Sequence, residues 1–103
     1  MKATFTGAGP TTTQSFRITD PGSHWQTQSW TLYVSGTPGA TGSMQLQVSP
    51  DMAELPDAQC RWFNSGTAVT TAPTVTNFVG RFRKVRFAFT GGDGTTNLIA
   101  EVV

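Results

Sequence analysis

Charged residues are scarce in this sequence. Asp, Glu, Lys and Arg together make up 13% of the 103 residues, about half of the roughly 25% found in an average soluble domain. Thr, Ser and Gly fill the difference, which favours strands and tight turns over solvent-exposed helices. The formal net charge is only +1. The chain therefore lacks the basic excess of a typical nucleic-acid-binding module, and a nucleic-acid partner is not expected.

The residues of common catalytic and metal sites are also few. The chain has one cysteine, Cys60, and one histidine, His24, so an internal disulfide is excluded. These two residues cannot supply the four ligands of a usual zinc site. A nucleophile–base pair would need His24 beside a serine or Cys60, with a third group to orient it. The spacing indicates no such set, so we expect no enzymatic activity, no metal and no cofactor.

Long apolar runs are absent as well. No stretch approaches the roughly 20 apolar residues of a membrane span. The N-terminal segment MKATFTGAGP has no apolar region of the kind that a secretory signal requires. We expect a protein that has no membrane partner and that folds in a reducing cytoplasm.

What the sequence does contain is apolar residues that alternate with polar ones. This period of two predicts strands with one face on a core and the other on solvent. Turn signals rich in Gly, Pro, Asn and Asp separate the strands, with roughly 8–12 residues between turns. The sequence thus predicts an all-β fold, a single antiparallel β-sandwich of the jelly-roll kind. The alternating segments are SWTLYVS (29–35), SMQLQVS (43–49), RKVRFAF (83–89) and NLIAEVV (97–103).

Two connecting segments receive specific predictions. GGDG (91–94) is interpreted as a hairpin turn between the last two strands. DMAELPDA (51–58) contains a proline and is interpreted as one helical turn or a loop insertion that contacts a partner.

The first 28 residues have few and widely spaced apolar side chains. We predict that residues 1–28 form either an extended N-terminal arm or an ordinary edge strand, packed on the domain or on a neighbouring subunit. Residues 29–103 form the sandwich domain. In the arm interpretation, Phe5 and Phe16 are candidate partner contacts.

The segment VGRFRKVRFAF (79–89) concentrates four of the seven basic residues. At period two Val85, Phe87 and Phe89 face the core, while Lys84 and Arg86 lie on the exposed sheet face. Arg81 and Arg83 lie near the rim, where long side chains reach water. A solvated strand face and a partner-docking surface both remain open. If the segment docks, reversing the charges of Lys84 and Arg86 should abolish binding and leave the fold intact.

The aromatic residues offer an alternative site. Trp30 is in phase with the apolar residues of its strand, which predicts a core position. Trp25 and Tyr33 fall outside that phase or in a loop, so they are the candidates for a carbohydrate-stacking surface.

Several short motifs in residues 29–103 occur in a recognisable order. They are LQVSPD (46–51), then Trp62, then RKVR (83–86), followed by a Gly/Thr turn and a final strand. This order resembles small bacteriophage virion proteins of the decoration, cement or fibre-associated kind. The resemblance implies a structural protein that binds the major capsid protein or other virion proteins. It further implies a homo-oligomer, for which a trimer is plausible, located in the virion after folding in the host cytoplasm.

The same order is also similar to discoidin-type, galactose-binding jelly rolls. The chain departs from them where Met52 replaces a turn glycine and where Lys84 replaces an aromatic residue, and ELPDAQCR is inserted before Trp62. The leading prediction is a capsid decoration or cement protein that stabilises the assembled shell. The alternatives are a carbohydrate- or receptor-binding sandwich of a phage tail or fibre, and a tail or neck structural component.

Overall fold

The computed structural model describes residues 1–13, 15–17, 28–52, 54–80 and 82–103. Within these ranges the chain forms nine strands and a single 3-10 turn at Asp57–Gln59, with no α-helix. The predicted all-β antiparallel sandwich is confirmed. The strands are β1 (Lys2–Thr6), β2 (Thr11–Thr12), β3 (Phe16–Arg17), β4 (Gln28–Thr37), β5 (Ser43–Ser49), β6 (Phe63–Asn64), β7 (Thr74–Gly80), β8 (Lys84–Thr90) and β9 (Asn97–Val102).

The strands form two antiparallel sheets. Sheet A has the order β1-β9-β4-β7, and sheet B has the order β2-β8-β5-β6, with β3 also paired to β8. If β2 and β3 are counted as one interrupted strand, every connection except β5 to β6 crosses from one sheet to the other. This is the two-sheet arrangement of a jelly roll.

The core lies between the sheets and follows the predicted alternation. Inward side chains from both sheets are buried, and aromatic rings fill the space between them. Phe5 stacks on Phe89 with ring centroids 5.0 Å apart, and Phe87 is 0% exposed. The buried apolar set is Phe5, Leu32, Val34, Met44, Leu46, Phe82, Val85, Phe87, Phe89, Leu98, Ala100 and Val102.

The N-terminal segment contributes edges to both sheets. Strand β1 pairs with β9, while β2 and β3 pair with β8. Phe5 is 4% exposed, and Phe16 is half-buried with its ring edge-on to Phe87 at 5.9 Å. This corrects the prediction of Phe5 and Phe16 as partner contacts of an arm, because the side chain of Phe5 belongs to the chain's own core and that of Phe16 packs against it.

The GGDG segment (91–94) is not a hairpin turn, which corrects the prediction made for it from the sequence. Strand β8 lies in sheet B and β9 in sheet A, so residues 91–96 cross between the sheets. Asp93 holds this crossing by accepting bonds from the backbone N–H of Ala40 and Thr95, at 3.3 and 2.8 Å. Gly91 and Gly92 are needed because other segments of the same chain pass against them. A Cβ at Gly91 would overlap the carbonyl oxygen of Thr41.

Two glycines with positive φ allow the cost of backbone strain to be measured apart from the cost of steric overlap. A Cβ at Gly36 (φ +95°) would lie far inside contact distance of the Asn97 carbonyl oxygen, whereas a Cβ at Gly66 (φ +72°) meets nothing within 4 Å. We predict that Gly66→Ala lowers the free energy of unfolding by about 1–2 kcal/mol through conformation alone. Gly36→Ala should cost about 1–3 kcal/mol more because β4 and β9 must separate. Denaturant titration of both variants measures the difference, and equal losses would contradict it.

Candidate functional site

The outer face of sheet B is covered by the chain itself around Lys84 and Arg86. The covering segment lies between β5 and β6 and is named here the cover loop (residues 50–52 and 54–62). It includes the 3-10 turn at Asp57–Gln59. The outward side chains of Lys84 and Arg86 on β8 therefore meet the cover loop before they reach solvent.

Lys84 is the clearest case. Its side chain is 4% exposed, and its ammonium lies 3.2 Å from an Asp57 carboxylate oxygen. The same ammonium donates to the carbonyl oxygen of Leu55 and lies 3.6 Å from the Cys60 sulfur. An ammonium has three donors, so these contacts account for all of them. The burial of Lys84 is compensated, as a buried charge requires.

This corrects the expectation that Lys84 lies on an exposed, docking-competent face. The residue has the outward parity that the sequence predicts, but a loop lies over it. Charge reversal at Lys84 would place a carboxylate beside Asp57 in a buried position and would destabilise the fold.

Asp57 joins the cover loop to the N-terminal segment. Its carboxylate accepts bonds from the Ser15 hydroxyl at 2.7 Å and from the Ser15 backbone N–H at 3.1 Å, besides the Lys84 contact. Burial acts to raise the pKa of Asp57, but the hydrogen bonds from Ser15 and Lys84 outweigh it and leave the pKa below its usual value. The ionised carboxylate is therefore part of the folded state.

Arg86 is held by the other end of the cover loop. Its guanidinium carbon lies 4.1 Å from the centroid of the Trp62 ring, and its Nε donates to the Gln47 side chain at 2.7 Å. Trp62 is fixed in turn by its indole N–H, which donates to the Asp57 carbonyl oxygen at 2.9 Å. Burial lowers the pKa of Arg86, while the nearby Asp57 carboxylate acts in the opposite direction. The cation–π contact and the hydrogen bond hold the Arg86 guanidinium against side chains of the same chain.

The two other basic residues predicted as partner contacts are Arg83 and Arg81. Arg83 is half-buried, and its backbone N–H donates to the Ser49 carbonyl oxygen at 2.9 Å. Arg81 lies outside the described residues. The four basic residues predicted as partner contacts therefore include two, Lys84 and Arg86, whose side chains are engaged within the molecule.

The contacts around Lys84 are those of a structural cluster. Cys60 is half-buried, and its thiol donates to Leu55 at 3.8 Å. Within the ranges that the structure describes, no three His, Cys, Asp or Glu side chains are grouped as metal ligands. Since Lys84 already has three partners, it has no free donor to offer a substrate.

The outer face of sheet A is different, and we name it the A face. It carries four of the six large hydrophobic residues that are exposed in the described ranges. The only charges at its registered positions are Lys2 and Glu101, which lie opposite each other on β1 and β9. Threonine, serine, asparagine and the half-buried Ile99 fill its other positions. The four exposed residues are Tyr33 (45%), Val75 (62%), Val79 (65%) and Val103 (67%).

Tyr33 lies at the centre of one row of the A face, between Val75 on β7 and Glu101 on β9. Its exposure agrees with the alternative prediction of a surface aromatic, whereas Trp25 lies outside the described residues. Trp30 faces inward, with its ring 5.9 Å from that of Phe82. The described part of the A face has no second aromatic ring beside Tyr33.

The sequence patterns missed the importance of β7. TVTNFVG shows alternation, but its two valines have outward parity and its inward positions hold Thr76 and Phe78. The signal available in the sequence was the combination of several β-branched residues and a complete lack of charge across seven residues.

Comparisons with protein-family models, with curated proteins and with solved structures find no match to the chain. In the described ranges no helix has the length and apolar character needed to cross a membrane.

Lys84 should be essential for stability. We predict that Lys84→Glu lowers the free energy of unfolding by about 3–5 kcal/mol, because it breaks a buried charge pair and adds a second carboxylate next to Asp57. The matched control is Arg17→Glu, which makes the same charge change at an exposed position paired with Lys84. It should change stability by less than about 1 kcal/mol. Urea denaturation followed by tryptophan fluorescence measures both, and equal effects would refute the assignment.

The Asp57 carboxylate should give stability a defined pH dependence. Because its folded-state pKa is below the ordinary 3.8, its contribution is present above that pH and is lost as pH falls through the folded-state pKa. Asp57→Asn should therefore be less stable than wild type at neutral pH, by about 1 kcal/mol after discounting for solvent screening. The difference should narrow below about pH 4. Glu101→Gln, which removes a carboxylate from the other sheet, is the control, and a gap independent of pH would contradict the prediction.

Proposed function

We propose that the chain is a bacteriophage virion structural protein, a capsid decoration or cement protein that binds the assembled shell through the A face. The observation that carries the proposal is the concentration of exposed apolar side chains on one sheet face with little charge. Contiguous exposed apolar surface is typical of protein interaction sites. The jelly-roll arrangement is compatible with the proposal, since it is used by viral capsid domains as well as lectins.

The proposed mechanism is binding linkage. A protein that binds the assembled shell and not its separate subunits stabilises the shell by mass action. The A face is built from paired strands, so it is rigid and loses little conformational entropy when it docks. Many copies around symmetry axes make modest individual contacts cumulative. The partner in this proposal is the major capsid protein or another virion protein, and the bound protein is located in the virion.

The second candidate is a carbohydrate- or receptor-binding domain of a phage tail or fibre. The observation that favours it is the exposed ring of Tyr33 at the centre of the A face. An aromatic ring on a jelly-roll sheet can stack on the apolar face of a sugar. A tail or neck structural role would use the same protein-binding surface at lower copy number.

The location of the docking surface gives a direct test. We predict that Tyr33→Lys lowers co-sedimentation with purified virus particles at least about tenfold, because a charge replaces the central apolar contact. Thr12→Lys is the matched control, since it adds the same charge at an exposed position of sheet B. It should bind like wild type. Equal loss in both variants, or no loss in Tyr33→Lys, would remove the A face from the proposal.

Copy number separates the two candidates. Quantitative mass spectrometry of the particles should find hundreds of copies for a decoration protein. A few copies would indicate a tail or fibre component instead. In that case retention on a glycan array, and its loss in Tyr33→Lys, would support the carbohydrate-binding alternative.

A further inference from the structure

Among the described residues, strand β7 is an edge of sheet A whose outer backbone groups have no backbone partner. In an antiparallel pair, alternate residues turn their N–H and C=O groups toward the same neighbour. Thr31 exchanges both bonds with Val103, at 3.1 and 3.0 Å, so the odd-numbered residues of β4 face away from β7. The even-numbered residues of β4 therefore bind β7, in the pairs Trp30–Phe78 and Leu32–Thr76.

It follows that the odd-numbered residues of β7 turn their backbone groups off the edge of the sheet. These residues are Val75, Asn77 and Val79. No backbone hydrogen bond between described residues reaches them from outside the β4–β7 pair. The 62% and 65% exposure of the two valines agrees with an edge that no described residue covers.

The other edges carry protective features that β7 lacks. Natural sheets prevent edge-to-edge pairing with very short edge strands or with charged residues, especially lysine. Edge strands β2 and β6 have two residues each, and β1 carries Lys2. Strand β7 has seven residues, with no charge and no proline.

The sequence of β7 is also complementary to itself. In an antiparallel pair centred on Asn77, that residue lies opposite Asn77 of a second copy, and Val75 lies opposite its Val79. All three residues are those with outward-facing backbone groups, so each opposed pair can exchange two hydrogen bonds. The same register places Thr76 opposite Phe78, which is half-buried. No like charges meet across the pair.

We propose that β7 is a self-association site, at which two copies of the chain pair antiparallel about Asn77 and join their A sheets into one continuous sheet. The occupant is a second copy because the register satisfies the free backbone groups and the apolar side chains together. A seven-residue strand is about 24 Å long and a sheet layer about 10 Å thick. The contact is thus well below the roughly 1,600 Å² of a standard stable interface. The dimer is weak in dilute solution and favoured where copies are concentrated.

Amide hydrogen exchange on the wild-type protein tests this register. From micromolar to millimolar concentration, exchange at Val75, Asn77 and Val79 should slow severalfold in proportion to dimer formation measured by analytical ultracentrifugation. The amides of Thr76 and Phe78 already bind β4 and should be protected at every concentration. Exchange that does not depend on concentration, or slowing at another edge instead, would overturn the proposal.

One disruptive variant and two control variants give the second measurement. Asn77→Lys places two like charges opposite each other on the symmetry axis and should abolish the dimer. Thr4→Lys adds the same charge to the exposed edge strand β1 and should dimerise like wild type. Thr31→Val controls for the side-chain bond between Thr31 and Asn77, and it should also dimerise. Wild-type association by a folded Asn77→Lys protein, checked by circular dichroism, would overturn the proposal. Because these measurements use the isolated protein, they are independent of shell binding through Tyr33.

Discussion

The burial of the Lys84 ammonium is the constraint on which much of this structure depends. A charge removed from water is tolerated only when its hydrogen bonds are replaced. Here the replacements come from Leu55, Asp57 and Cys60, all in the cover loop. The middle of the cover loop is consequently bound to Lys84 at the start of β8. Asp57 extends the same network to Ser15, so this network also links the cover loop to the segment between β2 and β3.

This network determines which surface is free for a partner. Once the cover loop lies on sheet B, the basic side chains of β8 are used inside the molecule. Arg86 in particular lies against Trp62. The outer face of sheet A has no comparable cover in the described ranges, and it carries the exposed valines and Tyr33. An interaction through the most basic segment of the sequence would have to displace the loop, whereas one through the A face would not.

The sequence predicted the sandwich because alternation is a local property. Phe87 and Phe89 face the core wherever β8 is placed. The same alternation directs Lys84 outward. It is buried there because the cover loop lies over it, and its ammonium donates to a carbonyl oxygen 29 residues earlier in the chain. Period-two reasoning cannot see such a contact. The crossing at residues 91–96 was missed for a related reason, because turn chemistry identifies a change of direction and not the sheet that the chain enters next.

Strand β7 shows why the exposed positions are the informative ones. Its outward positions 75 and 79 are valines that are 62% and 65% exposed, whereas burial alone would favour apolar residues only at buried inward positions. Packing of the core thus does not account for these two valines, and β propensity accounts for β-branched residues without requiring apolar ones, since threonine would serve equally. A charged residue at the edge would also protect against aggregation. The uncharged, apolar edge beside the A face is therefore a feature that neither core packing nor β propensity explains.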